Sequence, residues 1–272
     1  MQIAITRGVS PSINLCELSF LSRQKIDVAR AVEQHRQYEE CLRSLGFTVI
    51  SLPAEPDLPD SMFVEDPALV VEELAVMNCM GAESRRPETK TLAPVLARYR
   101  ALRWMEFPAQ LEGGDVLRVG TTLFVGISDR SNGDGMRYLD DNLRPFGYTI
   151  VPVAVWGCLH LKSACSALGD GAILMSFPLV DPEPFLRRYQ VIQTPPDEPG
   201  AANVLTVGDT VVMPDCFPQT AQLLDGLGWK VRTLDISELM KAEAGVTCSS
   251  ILLESGSVNG PREPSPLPLY LQ

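Results

Sequence analysis

The chain has 272 residues, 45% of them apolar and 21% charged, the composition of an ordinary globular protein long enough to bury a substantial core. Its net charge of −11 argues against a nucleic-acid or acidic-membrane surface, since both need basic patches, and is compatible with a cationic small molecule. No apolar run reaches the ~20 residues that span a bilayer, and seven scattered cysteines without a C-x-x-C pair, beside two histidines, predict neither a disulfide framework nor a structural zinc site.

From the N-terminus, Met1 to Arg7 reads as a first strand and lacks the basic segment and apolar core of a secretory signal, so a cytoplasmic protein is expected. Val32 to Gln37, with His35, is a polar helical stretch. Asp60, Glu65 and Asp66 then cluster at the start of an apolar run. Arg85 follows in Gly81-Ala82-Glu83-Ser84-Arg85-Arg86. Glu112-Gly113-Gly114-Asp115 opens a second run, Val116 to Gly126, which is broken by Val-Gly-x-Thr and reads as a hairpin. Arg130 lies in the loop beyond it, before a helical pattern from Gly135 to Leu143 and a strand from Tyr148 to Val153. His160 sits in Leu159-His160-Leu161-Lys162-Ser163, ahead of a third hairpin-like run, Ala167 to Met175. Ala201-Ala202-Asn203 precedes a fourth, Val204 to Pro214, again broken by Val-Gly-x-Thr. A helix from Gln219 to Leu227 and a strand from Lys230 to Leu234 come next, then Cys248 in Gly-Val-Thr-Cys-Ser-Ser. Residues 256–272 hold four prolines and no apolar periodicity, so a single domain over 1–255 with a mobile tail is expected.

These elements repeat. Positions 66, 115, 163, 203 and 248 follow one another at intervals of 49, 48, 40 and 45 residues, each a polar cluster heading a strand-like run. The unit is strand, strand, helix, strand. Five such units cannot each bury an apolar face alone, but arranged around an axis they share one core. A radial array then brings Asp66, Asp115, His160, Asn203 and Cys248 together at one end.

That convergence suggests chemistry. A cysteine thiolate is a strong nucleophile, and a histidine beside it can give a proton to a leaving group and take one from water. The partner of Cys248 is His160 or His35, and the apolar setting of His160 makes it the better candidate. Carboxylates at strand ends suit a planar guanidinium cation, and loop arginines can clamp a carboxylate.

Together Asp60-Ser61-x-Phe63-Val64-Glu65-Asp66-Pro67, Gly81 to Arg86, Glu112-x-Gly114-Asp115, Arg130-x-Asn132, His160-Leu161-Lys162, Ala201-Ala202-Asn203 and Gly245-Val246-x-Cys248 resemble the dimethylarginine dimethylaminohydrolase family, bacterial-type members of the guanidino-group-modifying (pentein) superfamily. The resemblance implies an α/β fold, a five-bladed propeller of ββαβ repeats around a pseudo-fivefold axis. It implies Cys248 as nucleophile, His160 as general acid and base, and Glu112 as a supporting carboxylate. Asp66 would hold the guanidinium with help from Asp60 and Glu65, with Phe63 in the same motif. Arg85 and Arg130 would bind the substrate's carboxylate. Leu18 would belong to a loop over the pocket, and Ala242 to the segment whose backbone receives the α-amino group. No cofactor and no metal are implied. The partner is a small guanidino substrate, with no nucleic acid and no membrane, and a homodimer is compatible with the chain. Two departures stand out: Arg130-Ser131-Asn132 where the family often has Thr in the middle, and Gly113, a form shared with the deiminases. The rival readings are an arginine deiminase, an agmatine deiminase or an amidinotransferase on the same fold, and a noncatalytic binding propeller.

Overall fold

Five small sheets of three strands each make up the protein, as seen in a computed structural model that describes residues 2–169 and 171–254. Taken along the chain, β1 (Gln2–Arg7) leads through a long loop to α1 (Val28–Ser44) and β2 (Thr48–Leu52). The next unit is β3 (Ala68–Val70), β4 (Leu74–Met77), α2 (Glu88–Leu96) and β5 (Ala101–Trp104). It is followed by β6 (Val116–Val119), β7 (Thr122–Ile127), α3 (Gly133–Leu143) and β8 (Thr149–Ala154). A short α4 (Leu161–Ala164) precedes β9 (Cys165–Ala167), β10 (Ala172–Met175), α5 (Glu183–Leu186) and β11 (Gln190–Gln193). The last full unit is β12 (Leu205–Val207), β13 (Thr210–Pro214), α6 (Pro218–Gly226) and β14 (Lys230–Leu234). Then come α7 (Ser237–Met240) and β15 (Ile251–Glu254).

Four of the five sheets share one plan. An antiparallel hairpin pairs its second strand, in parallel, with a third strand delivered by a helical crossover. The expected hairpin turns fall where Val-Gly-x-Thr placed them: Val119 pairs with Thr122 and Val207 with Thr210. The turn residues Gly120 and Gly208 have φ of 58° and 59°, which a side chain would resist. The fifth sheet departs from the simple repeat. It is completed across the chain ends, with β15 antiparallel to β1 and β1 parallel to β2.

The middle strands explain why the sheets form a ring. Alternate side chains of a strand point to opposite faces. Leu123 and Val125 of β7 enter an apolar cluster with Leu69 and Val76 of the preceding sheet, while Phe124 enters another with Ile173 and Met175 of the following one. Leu174 of β10 turns toward Val211 and Met213. Ala4 of β1 faces one neighbour, and Ile3 and Ile5 face the other with Met77. The middle strands are therefore apolar on both faces, reading as continuous hydrophobic runs.

The ends of the first strands converge, and the clusters preceding them form one face of the ring. Among the described residues no helix is long and apolar enough to cross a membrane. The expectation for residues 256–272 lies outside the described residues.

Chain ends usually tolerate substitution, but here β1 closes the ring. Ile5 is fully buried, opposite Ile251 on one side and Ile50 on the other. Ile5→Ala is expected to cost about 2–5 kcal/mol of stability, read from the midpoint shift in guanidinium unfolding.

Candidate active site

Asp115 organises the site. It is fully buried, and its Oδ1 accepts the amide of Leu161 at 3.0 Å while Oδ2 accepts the hydroxyls of Ser128 (2.5 Å) and Ser131 (2.7 Å). One carboxylate thus fixes the start of α4, which carries His160 at its cap, and the loop that carries Arg130. Burial still raises its pKa, against the pull of His160 and the two serines.

The preceding glycines permit close approach. The amide of Gly114 donates to Asp66 Oδ1 at 2.9 Å, and a Cβ there would lie 2.5 Å from His160 Nδ1. A Cβ on Gly113 would run into the carbonyl of Glu65. Glycine at position 113 is therefore imposed by the packing in this chain.

Glu112 is completely buried and accepts from His160 Nε2 at 2.8 Å. It also accepts from the amide of Ala82 at 3.1 Å and from Arg130 Nη1 at 3.3 Å. Burial alone would raise its pKa; the hydrogen bond and charge of His160, with Arg85 and Arg130, bring it instead to about 2. His160 answers in kind. Burial would lower its pKa, but Asp66, Glu112 and Asp115 lift it to about 9, so it is an imidazolium at neutral pH.

Cys248 is half-buried. Its sulfur accepts the Gly245 amide at 3.4 Å, and its carbonyl accepts the Glu65 amide at 3.3 Å. Burial, helped by the carboxylates of Glu65 and Asp66, pushes the thiol up to about 12. At neutral pH both Cys248 and His160 thus hold their protons. Among the described residues no hydrogen bond joins them, yet both line two connected hollows, of about 250 and about 20 Å3. The smaller one is ringed by charged groups: Asp60, Asp66, Arg85 and Arg130, with Phe63 and Ala242. The larger is apolar over Phe20, Leu21, Leu179 and Met240.

Glu65 forms the floor. Its two oxygens take Lys162 Nζ at 2.5 Å and Thr247 Oγ1 at 2.9 Å. A separate cavity of about 260 Å3, lined by the first strands of the sheets, shares with the 250 Å3 hollow only Glu65 and Lys162. This ion pair is the partition between them. Asn203 braces it: its Nδ2 donates to the carbonyl of Lys162 at 2.9 Å and to Thr247 Oγ1 at 3.0 Å.

The two arginines differ. Arg85 forks Glu88 with Nε and Nη2, both at 3.0 Å, reaches Asp66 Oδ2 with Nη1 at 2.9 Å, and donates from Nη2 to the carbonyl of Phe63 at 3.4 Å. One Nη1 hydrogen remains. Arg130 spends two contacts, on Glu112 and on Ser19 Oγ at 3.0 Å, and keeps more donors. Asp60 accepts the amide of Glu17 at 3.1 Å, and burial raises its pKa despite Arg85. Leu18 packs its side chain against the cluster that holds Phe63 and Ala242; its neighbours Phe20 and Leu21 line the hollow. His35 lies away from these hollows on α1, buried 3.4 Å from Glu39.

Asp66, Glu112 and His160 present three donor atoms within 4.8 Å of one another, the one such group of metal-ligating side chains among the described residues. Asp66 already accepts from Arg85 and Gly114, and Glu112 from His160, Ala82 and Arg130. Sequence reasoning did not single out Glu88, Glu17 or Glu243. Glu88 carried a usable signal, an acid three residues after Arg85, at the first position of α2.

A family model described as eukaryotic N,N dimethylarginine dimethylhydrolase matches residues 8–173. The N(G),N(G)-dimethylarginine dimethylaminohydrolase of Streptomyces coelicolor is 38% identical over 92% of this chain and 96% of its own length. That of Pseudomonas aeruginosa is 34% identical over 84% and 90%. The solved structure of the Pseudomonas aeruginosa protein, as a cysteine-to-serine variant with citrulline, superposes with a TM-score of 0.87 at 32% identity, covering 92% of this chain and 98% of that one.

A thiol raised to about 12 should react slowly. Alkylation of Cys248 by iodoacetamide at pH 7.5 is expected to be roughly 100-fold or more slower than that of glutathione, and its rate should keep rising above pH 9. Peptide mapping of the labelled protein across pH checks both.

Proposed function

Because the chain belongs to the dimethylarginine dimethylaminohydrolase family, we propose that it hydrolyses Nω-methylated L-arginine to L-citrulline, releasing dimethylamine or methylamine. The observation that carries this reading is the meeting of Cys248 with the His160–Glu112 pair at a hollow ringed by carboxylates and arginines.

Asp66 and Asp60 face the guanidinium, whose N–H groups match carboxylate oxygens. The free donors of Arg130, with the last Nη1 hydrogen of Arg85, take the substrate carboxylate. Arg85 is mainly the anchor that holds Asp66 in place. The substrate's positive charge favours the Cys248 thiolate, which burial and carboxylates otherwise oppose.

As the cation binds, the Cys248 thiol gives its proton to solvent, and the thiolate then attacks the guanidinium carbon, forming the S–C bond. The C–N bond to the methylated nitrogen then breaks, and His160 supplies the proton to the departing amine. Nε2 is bound to Glu112, so Nδ1 is the nitrogen that exchanges the proton. A thiouronium remains on Cys248. Neutral His160 next takes a proton from water, which attacks the same carbon. The S–C bond breaks, the hydroxyl proton goes to the Cys248 sulfur, and citrulline is released. The positive charge that activates the carbon is the substrate's own, so the residues present suffice for each step.

The test is a citrulline assay with dimethylarginine, monomethylarginine, arginine and agmatine side by side. Methylated arginines should be turned over best. Arginine well above them would reassign the chain as a deiminase, and no turnover of any would sink the hydrolase reading. Cys248→Ser should lose about 10³-fold or more in kcat, while Cys165→Ser, far less accessible, should keep wild-type rates. As pH rises through about 9, His160 loses the proton the leaving amine needs, so kcat/KM should decline there. The same proton also stabilises the fold. Its contribution is complete below the unfolded value near 6.5 and is lost as pH rises through about 9.

A further inference from the structure

Glu243 is the one non-glycine residue with positive φ, 59°, among the described residues. A left-handed glutamate is sterically disfavoured and persists where other contacts over-determine it. Here the contacts are with the loop between β1 and α1. The Glu243 carboxylate accepts the amides of Ser19 (3.1 Å), Phe20 (2.6 Å) and Leu21 (2.5 Å). Three successive backbone N–H groups converging on one point form a concavity suited to an anion, and bonds to a carboxylate are stronger than neutral ones.

The tip of this loop has little apolar anchorage. Phe20 and Leu21 are 50% and 49% exposed, so apolar burial does not seat them. They nevertheless line the larger hollow together with Glu243 and Cys248. Arg23 ties the flanking segment to the carbonyls of Asn14 and Cys16, Leu18 packs against an apolar cluster, and other ties run into the site itself. The Glu17 amide meets Asp60, the Glu17 carboxylate meets Ser84, and Ser19 Oγ meets Arg130.

The geometry points to Glu243 as a positioning residue that latches residues 19–21 over the hollow. Through Ser19 and Glu17 the latch also orients Arg130 and Asp60, the groups assigned to the amino-acid end and the guanidinium. Its kinetic consequence rests on the methylarginine reading; the latch itself does not.

The variants Glu243→Ala, Glu243→Gly and Glu243→Gln of the full chain test it with two readouts. One is the split of KM and kcat for dimethylarginine. The other is the rate of tryptic cleavage after Arg23 and Lys25, which needs no turnover. Glu243→Ala and Glu243→Gly should raise KM at least 10-fold with kcat within threefold, and should speed cleavage at least 10-fold. Glu243→Gln keeps an acceptor oxygen and should fall between them and wild type. Glycine relieves the left-handed strain, so Glu243→Gly should unfold no earlier than wild type while still losing the latch; this separates positioning from a damaged fold. Wild-type KM and cleavage in both the alanine and glycine variants would overturn the proposal, as would a fall in kcat alone with cleavage unchanged. Should the wild type turn over no methylated arginine, the function fails while the cleavage arm still decides the latch.

Discussion

Burying negative charge is the constraint on which this protein turns. Asp60, Glu65, Asp66, Glu88, Glu112 and Asp115 all lie at one end of the ring, buried or nearly so. Against these six carboxylates stand four cations: Arg85, Arg130, Lys162 and the imidazolium of His160. An uncompensated charge in a low-dielectric interior is expensive, and the cluster responds where it can. Burial lifts the carboxyls of Asp60, Asp115 and Glu88, the last to about 7, and Cys248 keeps its proton. A site with this shortfall of positive charge suits a cation whose charge cannot be shed, which a guanidinium is.

The ring geometry makes such crowding achievable. Anchors about 45 residues apart in sequence meet because each stands at the same end of the same kind of unit. That much was legible: the spacing of 66, 115, 163, 203 and 248 and the two Val-Gly-x-Thr turns predicted strands and their common end. The closure was less so. Nothing local at Gln2–Arg7 signals that its antiparallel partner is Ile251–Glu254, because pairing between chain ends depends on where the other four units leave them.

Within the site, types of residue were easier to read than their partners. Arg85 was expected to clamp a substrate carboxylate; its fork is occupied by Glu88 and one further donor by Asp66. An arginine's role depends on which acids lie within reach, and only the helix starting at Glu88 decides that. Glu243 offered no signal at all, since its partners are backbone amides more than 200 residues away and amides have no sequence signature. Leu18 belongs to the loop whose next residues, Phe20 and Leu21, line the hollow, while its own side chain packs against the apolar cluster that holds Phe63 and Ala242.

The charge balance also orders the proposed chemistry. Burial would raise the Glu112 pKa, but with the hydrogen bond and charge of His160 beside it the carboxyl is held at about 2 and is ionised when the reaction begins. The hydrogen bond of Nε2 to Glu112 holds the imidazole and leaves Nδ1 to serve first as acid and then as base. His160 begins protonated, as the departure of an amine requires. It becomes neutral as that amine takes the proton, which leaves it ready to accept one from water. Cys248 begins as a thiol and turns nucleophilic when the guanidinium offsets the surrounding carboxylates. The empty site therefore holds an unreactive thiol, and reactivity arrives with a cation of the right shape.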